Sequence, residues 1–168
     1  MKRFVALILA CITLCLFGCS ASNDEFKAPV NFYYITDPIS YDDSSTVISP
    51  EIQESDGYDA PVLLLRKYLK RIPGNGFASP YPPGLDIISV EKDGNSAVIL
   101  LNRSFARLTG SDLSIACACL TWTVCEYLEV DTIYVSSQDA LIDGKESITL
   151  TKSLFNLLDQ AMEDPSNS

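Results

Sequence analysis

The sequence predicts an α+β fold: one small mixed sheet with a central hairpin, two main helices packed on one face of it, and an extra C-terminal helix. Three observations lead there. Asp93-Gly94 stands between the apolar runs 87–91 and 96–101, a strong short-range hairpin signal. Apolar residues recur at spacings of three and four over 62–72 and again over 113–128, each the pattern of a helix with one apolar face. Residues 30–35, Val-Asn-Phe-Tyr-Tyr-Ile, are rich in the aromatic and β-branched types that suit strands.

The chain begins outside that fold. Lys2 and Arg3 precede an uncharged apolar run over 4–17, too short for the roughly 20 residues of a membrane span. This is a signal-peptide pattern. It ends in Leu16-Phe17-Gly18-Cys19, which resembles a bacterial lipobox, although Phe17 stands where a smaller residue is usual. The reading is a lipoprotein signal peptide over 1–18 with Cys19 diacylated as the new first residue. An ordinary secretory signal cut near Ala21, or an uncleaved anchor, are the alternatives. Residues 19–28 are small, polar and charged, a tether. One domain follows over 29–162, and 163–168 is a polar tail.

Within the domain the first strand is 30–35, and 37–45 is a loop with Pro38, Asp42 and Asp43. A short strand over 46–52 carries Pro50, which restricts it to a sheet edge or ends it. The carboxylates Asp42, Asp43, Glu51, Glu54, Asp56 and Asp59 lack the fixed spacing of a calcium loop. A helix starts near Ala60-Pro61, with Asp59 able to cap it and proline at the first helical position. Its buried face is Val62, Leu64, Leu65, Tyr68, Leu69 and Ile72. Arg66, Lys67, Lys70 and Arg71 occupy the other, solvated, face, and Pro73-Gly74 ends it. The loop 75–84 is stiffened by Pro80, Pro82 and Pro83. Gly74-Asn75-Gly76 follows a helix and not a strand, so it makes a poor phosphate loop.

A two-residue hairpin turn puts Ile88, Val90, Ala97, Ile99 and Leu101 on one face, and Ile87, Ser89, Glu91, Ser96, Val98 and Leu100 on the other. The second helix runs over about 111–128, with Ser111 as N-cap and a stripe of Leu113, Ala116, Cys117, Leu120, Val124, Tyr127 and Leu128. The small residues Ala116 to Cys119 let it approach a sheet closely. Trp122 lies beside the stripe, at the core edge in preference to a partner interface. The last strand is 132–135, 136–145 is a polar turn region, and 150–162 is the extra helix.

Composition removes several function classes. Twelve basic residues face 22 acidic ones; without Lys2 and Arg3 the formal charge is −12. Such a chain repels nucleic acid and anionic lipid headgroups, so membrane attachment falls to the lipid on Cys19, where two acyl chains give stable anchoring. There is no histidine, hence none of the usual base. Cys117, Cys119 and Cys125 sit on one helix at spacings that forbid a bridge within it and supply too few ligands for zinc; they read as buried, inert thiols. Lys152 and Ser153 are adjacent and do not face each other on a helix. Asp42 and Asp43 pair only in a loop. No catalytic residue, metal ligand or cofactor is expected, and no enzymatic activity.

The order of short motifs resembles the GerMN domain of sporulation and spore germination lipoproteins. The residues are Phe32-Tyr33-Tyr34, then Tyr81-Pro82-Pro83-Gly84, Asp93-Gly94-Asn95-Ser96-Ala97-Val98, Leu101-Asn102-Arg103-Ser104-Phe105, Leu120-Thr121-Trp122-Thr123, and Asp131-Thr132-Ile133-Tyr134-Val135. Pro73-Gly74 replaces the family's usual glycine-proline, and one copy of the domain is present where some members have two. The resemblance implies a fold similar to the ring-building domains of secretion systems. It also implies a non-catalytic, membrane-anchored role in assembling or supporting an envelope complex, by self-association or with other envelope proteins. The alternative is a small-ligand or cell-wall binding lipoprotein, which requires a pocket lined by Tyr81, Trp122 or Tyr34. The less-buried hairpin face with Val98 and Leu100 is the first place to expect a partner.

Overall fold

The computed structural model describes residues 28–37, 47–55 and 60–155. The stretch read as a signal peptide, Cys19, the tether up to Lys27, Asp42, Asp43, Asp59 and residues from 156 onward lie outside them, and Ala28, read as the end of the tether, opens β1. Seven strands and two α-helices are described: β1 (Ala28–Thr36), β2 (Ile48–Ser55), α1 (Pro61–Lys70), β3 (Phe77–Ala78), β4 (Ile87–Asp93), β5 (Ser96–Leu101), α2 (Gly110–Leu128), β6 (Thr132–Ser137) and β7 (Ser147–Thr151). The α+β class is the expected one, but the strands form two sheets. One is β2-β1-β3, the other β4-β5-β6-β7. The β5–β6 pair is parallel and joined across α2; every other pair is antiparallel.

The sheets part company because helices, not strands, take over one edge of β1. Beyond the short pairing of Ile35 and Thr36 with β3, that edge faces α2 and α1. The Tyr33 N–H donates to Thr123 Oγ1 (2.9 Å), and the Tyr33 carbonyl accepts from the Tyr68 hydroxyl (2.6 Å). A backbone edge buried without partners is costly, and two side-chain hydroxyls supply them here. The same geometry explains Pro50, which lies opposite Tyr33 on the edge strand β2. Tyr33 aims its N–H and carbonyl away from β2, so the missing N–H of Pro50 removes no ladder bond.

Three local expectations are corrected. A bulge between Ile87 and Ser89 shifts the hairpin register and turns Ile87 inward, fully buried, while Ile88 points out. Ile72 lies past the end of α1 and is exposed; Leu64, Leu65, Tyr68 and Leu69 make its buried face. Residues 147–151, of which 147–149 were given no element and 150–151 the start of a terminal helix, form β7, with Leu150 paired to Ile133. Its Ser-Ile-Thr-Leu-Thr alternation is a strand period, and the leucine spacing that suggested a helix begins inside it. Cap positions also differ: Ala60 and Thr109 precede α1 and α2, and Ser111 lies within the first turn.

The core is packed between the two sheets and the helices. Phe32 and Tyr34 of β1 pack their rings on Tyr68 of α1, and Leu64, Leu65, Leu120, Val124, Ala97, Ile99, Ile133 and Val135 belong to the same buried cluster. The small residues Ala116, Cys117, Ala118 and Cys119 are all buried in α2, as close helix-to-sheet packing requires.

Candidate interaction surface

The outer face of the four-stranded sheet is built by the alternation that buries its inner one. Ala97, Ile99 and Leu101 point in, so Ser96, Val98 and Leu100 point out. The register carries this across the sheet. Glu91, Val98, Tyr134 and Thr149 form one row, and Ser89, Leu100, Ser136 and Ser147 the next. Val98 is 43% exposed and Tyr134 42%; Leu100 is half-buried, and Ile88, at the β4 bulge, is 41% exposed. β5, β6 and β7 contain no charged residue, in a chain with 34 of them. The result is a face with an apolar centre and a surround of serine and threonine hydroxyls, uncharged across β5, β6 and β7 and bounded by Glu91 on β4. Val98 and Leu100 were legible as its members. Tyr134 and Thr149 were missed, because their place depends on the β5–β6 register and on a strand not expected at 147–151.

The three residues expected to line a ligand pocket do not converge on one. Tyr34 is wholly buried in an aromatic cluster, its ring 5.2 Å from that of Tyr68. Tyr81 reaches the same cluster from the proline loop, with its hydroxyl 2.8 Å from that of Tyr68. Its other side lines a groove of about 260 Å3 with Ile35, Pro80, Pro82, Leu108 and Ile115, smaller than the roughly 300–1,000 Å3 of small-molecule sites. Trp122 lies elsewhere, at the core edge. Its ring is 5.6 Å from that of Tyr33, and Lys152 Nζ stands 5.1 Å from its centroid. Next to it Glu126 accepts from the Tyr33 hydroxyl (2.8 Å) and Asn31 Nδ2 (3.0 Å), tying β1 to α2.

Reactive groups are held in structural roles. Cys117, Cys119 and Cys125 are buried free thiols, and burial pushes them up to about 12, about 12 and about 11, far from the thiolate form a nucleophile needs. Lys152 is engaged with Trp122 and Glu126, while Ser153 Oγ pairs with Thr151 Oγ1 (2.8 Å). The basic face of α1 is largely neutralised: Lys70 and Arg66 both bind Asp86, at 2.9 and 2.8 Å, and hold its carboxyl below the usual range. Arg71 lies 3.5 Å from Glu51. Among the described residues, no three histidine, cysteine, aspartate or glutamate side chains are grouped to hold a metal, and no helix is long and apolar enough to cross a membrane.

Solved structures share this architecture. The tandem GerMN domains of the sporulation protein GerM from Bacillus subtilis align with a TM-score of 0.54 at 15% identity, over 75% of this chain and 46% of that one. The chain has a GerMN-like fold. The first GerMN domain of the same protein, taken alone, aligns with a TM-score of 0.51 at 14% identity, over 71% of this chain and 91% of that one. This chain thus spans less than half of the tandem pair and most of a single GerMN domain. No protein-family model matches the sequence, and no curated protein does.

Proposed function

We propose that this protein is a non-catalytic, lipid-anchored interaction protein of the cell envelope. It is held on the extracytoplasmic face of the membrane by Cys19 and helps assemble or support an envelope complex. The observation that carries the reading is the apolar centre of Val98, Leu100 and Tyr134 on the outer face of a GerMN-like fold. Exposed apolar centres with polar rims mark protein contact sites, and the three strands that carry this centre hold no charged residue in a strongly acidic chain. The alignments to domains of a sporulation protein support a role in sporulation or germination. The absence of any histidine and the raised thiols support the non-catalytic part.

The test is site-specific photo-crosslinking of the full chain in its own cells. A crosslinker at Val98 or Tyr134 is expected to capture a discrete envelope protein. The same probe at Ile72, which is 89% exposed but off the face, is expected to capture none. Equal labelling from all three positions, or none from any, overturns the assignment of the face. Separately, the wild-type chain is expected to take up a labelled fatty acid in growing cells, and Cys19→Ser is expected to lose that label. A wild-type chain that takes up none rules out the lipid anchor.

A further inference from the structure

An unpaired sheet edge is a template for another strand, and proteins block the edges they do not use with charge, proline, bulges or cover. The two sheets have four edge strands, of which β3 is only two residues long; the other three can be compared. β2 carries Pro50 and two glutamates, Glu51 and Glu54. β4 carries the bulge after Ile87, the charged run Glu91-Lys92-Asp93, and the Arg66 guanidinium donating to the Ile87 carbonyl (2.9 Å). β7 has none of these devices. It is Ser-Ile-Thr-Leu-Thr, regular in its pairing with β6, uncharged and without proline. Among the described residues nothing pairs with its outer edge.

We propose that β7 is a self-association edge, where it pairs antiparallel with β7 of a second copy and joins the two four-stranded sheets into one. The flanking charges identify the occupant. A two-fold axis through Thr149 sets Thr149 against its own copy, Ile148 against Leu150, and Ser147 against Thr151. One step further out it sets Glu146 against Lys152, and the symmetry makes that opposite-charge pair twice. Glu146 is exposed, and Lys152, the first residue of the short 3-10 turn after β7, reaches Glu126 only at 3.9 Å and exchanges its place over Trp122 for the new pair. Ile148, half-buried on the inner face, would be covered by Leu150 of the copy, continuing the apolar layer. The hydroxyls of Ser147, Thr149 and Thr151 would form a ladder on the outer face. Copies of a chain with net charge −10 repel, and this edge is where they bring the least charge together. The pairing leaves the face around Val98 and Tyr134 open, so it stands independently of the partner proposed for that face.

The experiment is charge exchange across the axis, read as the mass of the full chain in detergent micelles by light scattering over a dilution series. The wild-type chain is expected to dimerise. Glu146→Lys and Lys152→Glu are each expected to weaken the dimer about tenfold, since each turns two attractive pairs repulsive. The double variant is expected to restore it. Should the Lys152 substitution disturb its contact with Trp122 and lower the melting temperature, a second reading applies: amide exchange of Ser147–Thr151 in the wild-type chain should slow as concentration rises. A wild-type chain that stays monomeric, or a double variant no tighter than the singles, overturns the proposal.

Discussion

Tyr68→Ala is expected to cost about 4 kcal/mol and Tyr68→Phe about 1–3 kcal/mol, the first close to the whole reserve of a marginal domain, roughly 5–15 kcal/mol. The ring and the hydroxyl act on different parts of the fold. The ring lies 4.9 Å from Phe32, 5.2 Å from Tyr34 and 5.4 Å from Tyr81, so deleting it opens a cavity where α1 meets β1. The hydroxyl has one proton, given to the Tyr33 carbonyl at 2.6 Å, and it pairs with the Tyr81 hydroxyl at 2.8 Å. Phenylalanine keeps the ring but takes the donor from the part-buried Tyr33 carbonyl and leaves the buried Tyr81 hydroxyl only the Ala116 carbonyl, at 3.4 Å. Thr123 still holds the Tyr33 N–H, which keeps the loss below that of the alanine variant. Urea unfolding of both variants measures the two costs, with an unchanged slope showing that only stability moved. If Tyr68→Phe unfolds at the wild-type midpoint, helix hydroxyls do not secure the β1 edge.

That edge also shows how much of the structure was legible. The hairpin, both helices and the first strand follow from patterns that act over a few residues: Asp93-Gly94, the spacing of Leu64, Leu65, Tyr68 and Leu69, and the aromatic run 32–34. Pro50 correctly marked an edge strand. The division into two sheets was not legible, because it depends on Thr123 and Tyr68 meeting Tyr33 across separations of 90 and 35 residues. The inward turn of Ile87 was lost to a single-residue bulge, which flips a face without changing composition. β7 was hidden by leucines that also fit a helical period. For the surface, half was readable: Val98 and Leu100 follow from the hairpin alternation, whereas Tyr134 joins them only through the parallel pairing of β5 with β6. The three cysteines show the reverse. Their spacing and the missing histidine already pointed to packing, and their burial agrees.

Those buried thiols set the second large effect, a loss of stability in mild alkali. Burial raises Cys117 and Cys119 from 9.0 to about 12 and Cys125 to about 11. It also raises Tyr33, Tyr34, Tyr68 and Tyr81 above 10.0. Every one of these groups holds its proton more tightly folded than unfolded. Below about pH 8.5 both states are protonated and the groups leave stability unchanged. Above pH 9 the unfolded thiols ionise first, and stability falls until the folded values are reached. At pH 10.5, one and a half units above the unfolded thiol value, Cys117 and Cys119 together are expected to remove about 4 kcal/mol. The tyrosines join only above pH 10, so between pH 9 and 10 the thiols dominate the slope. Asp86, held low by Lys70 and Arg66, acts at the other end: its contribution is present above the unfolded carboxylate value and is lost as pH falls through the folded one. Melting temperature measured across pH 6 to 11 should therefore be flat to about pH 8.5 and then drop steeply. The Cys117→Ala, Cys119→Ala double variant starts from a lower melting temperature but should lose less of it between pH 9 and 10. An identical alkaline slope in that variant would mean that these thiols do not govern the transition.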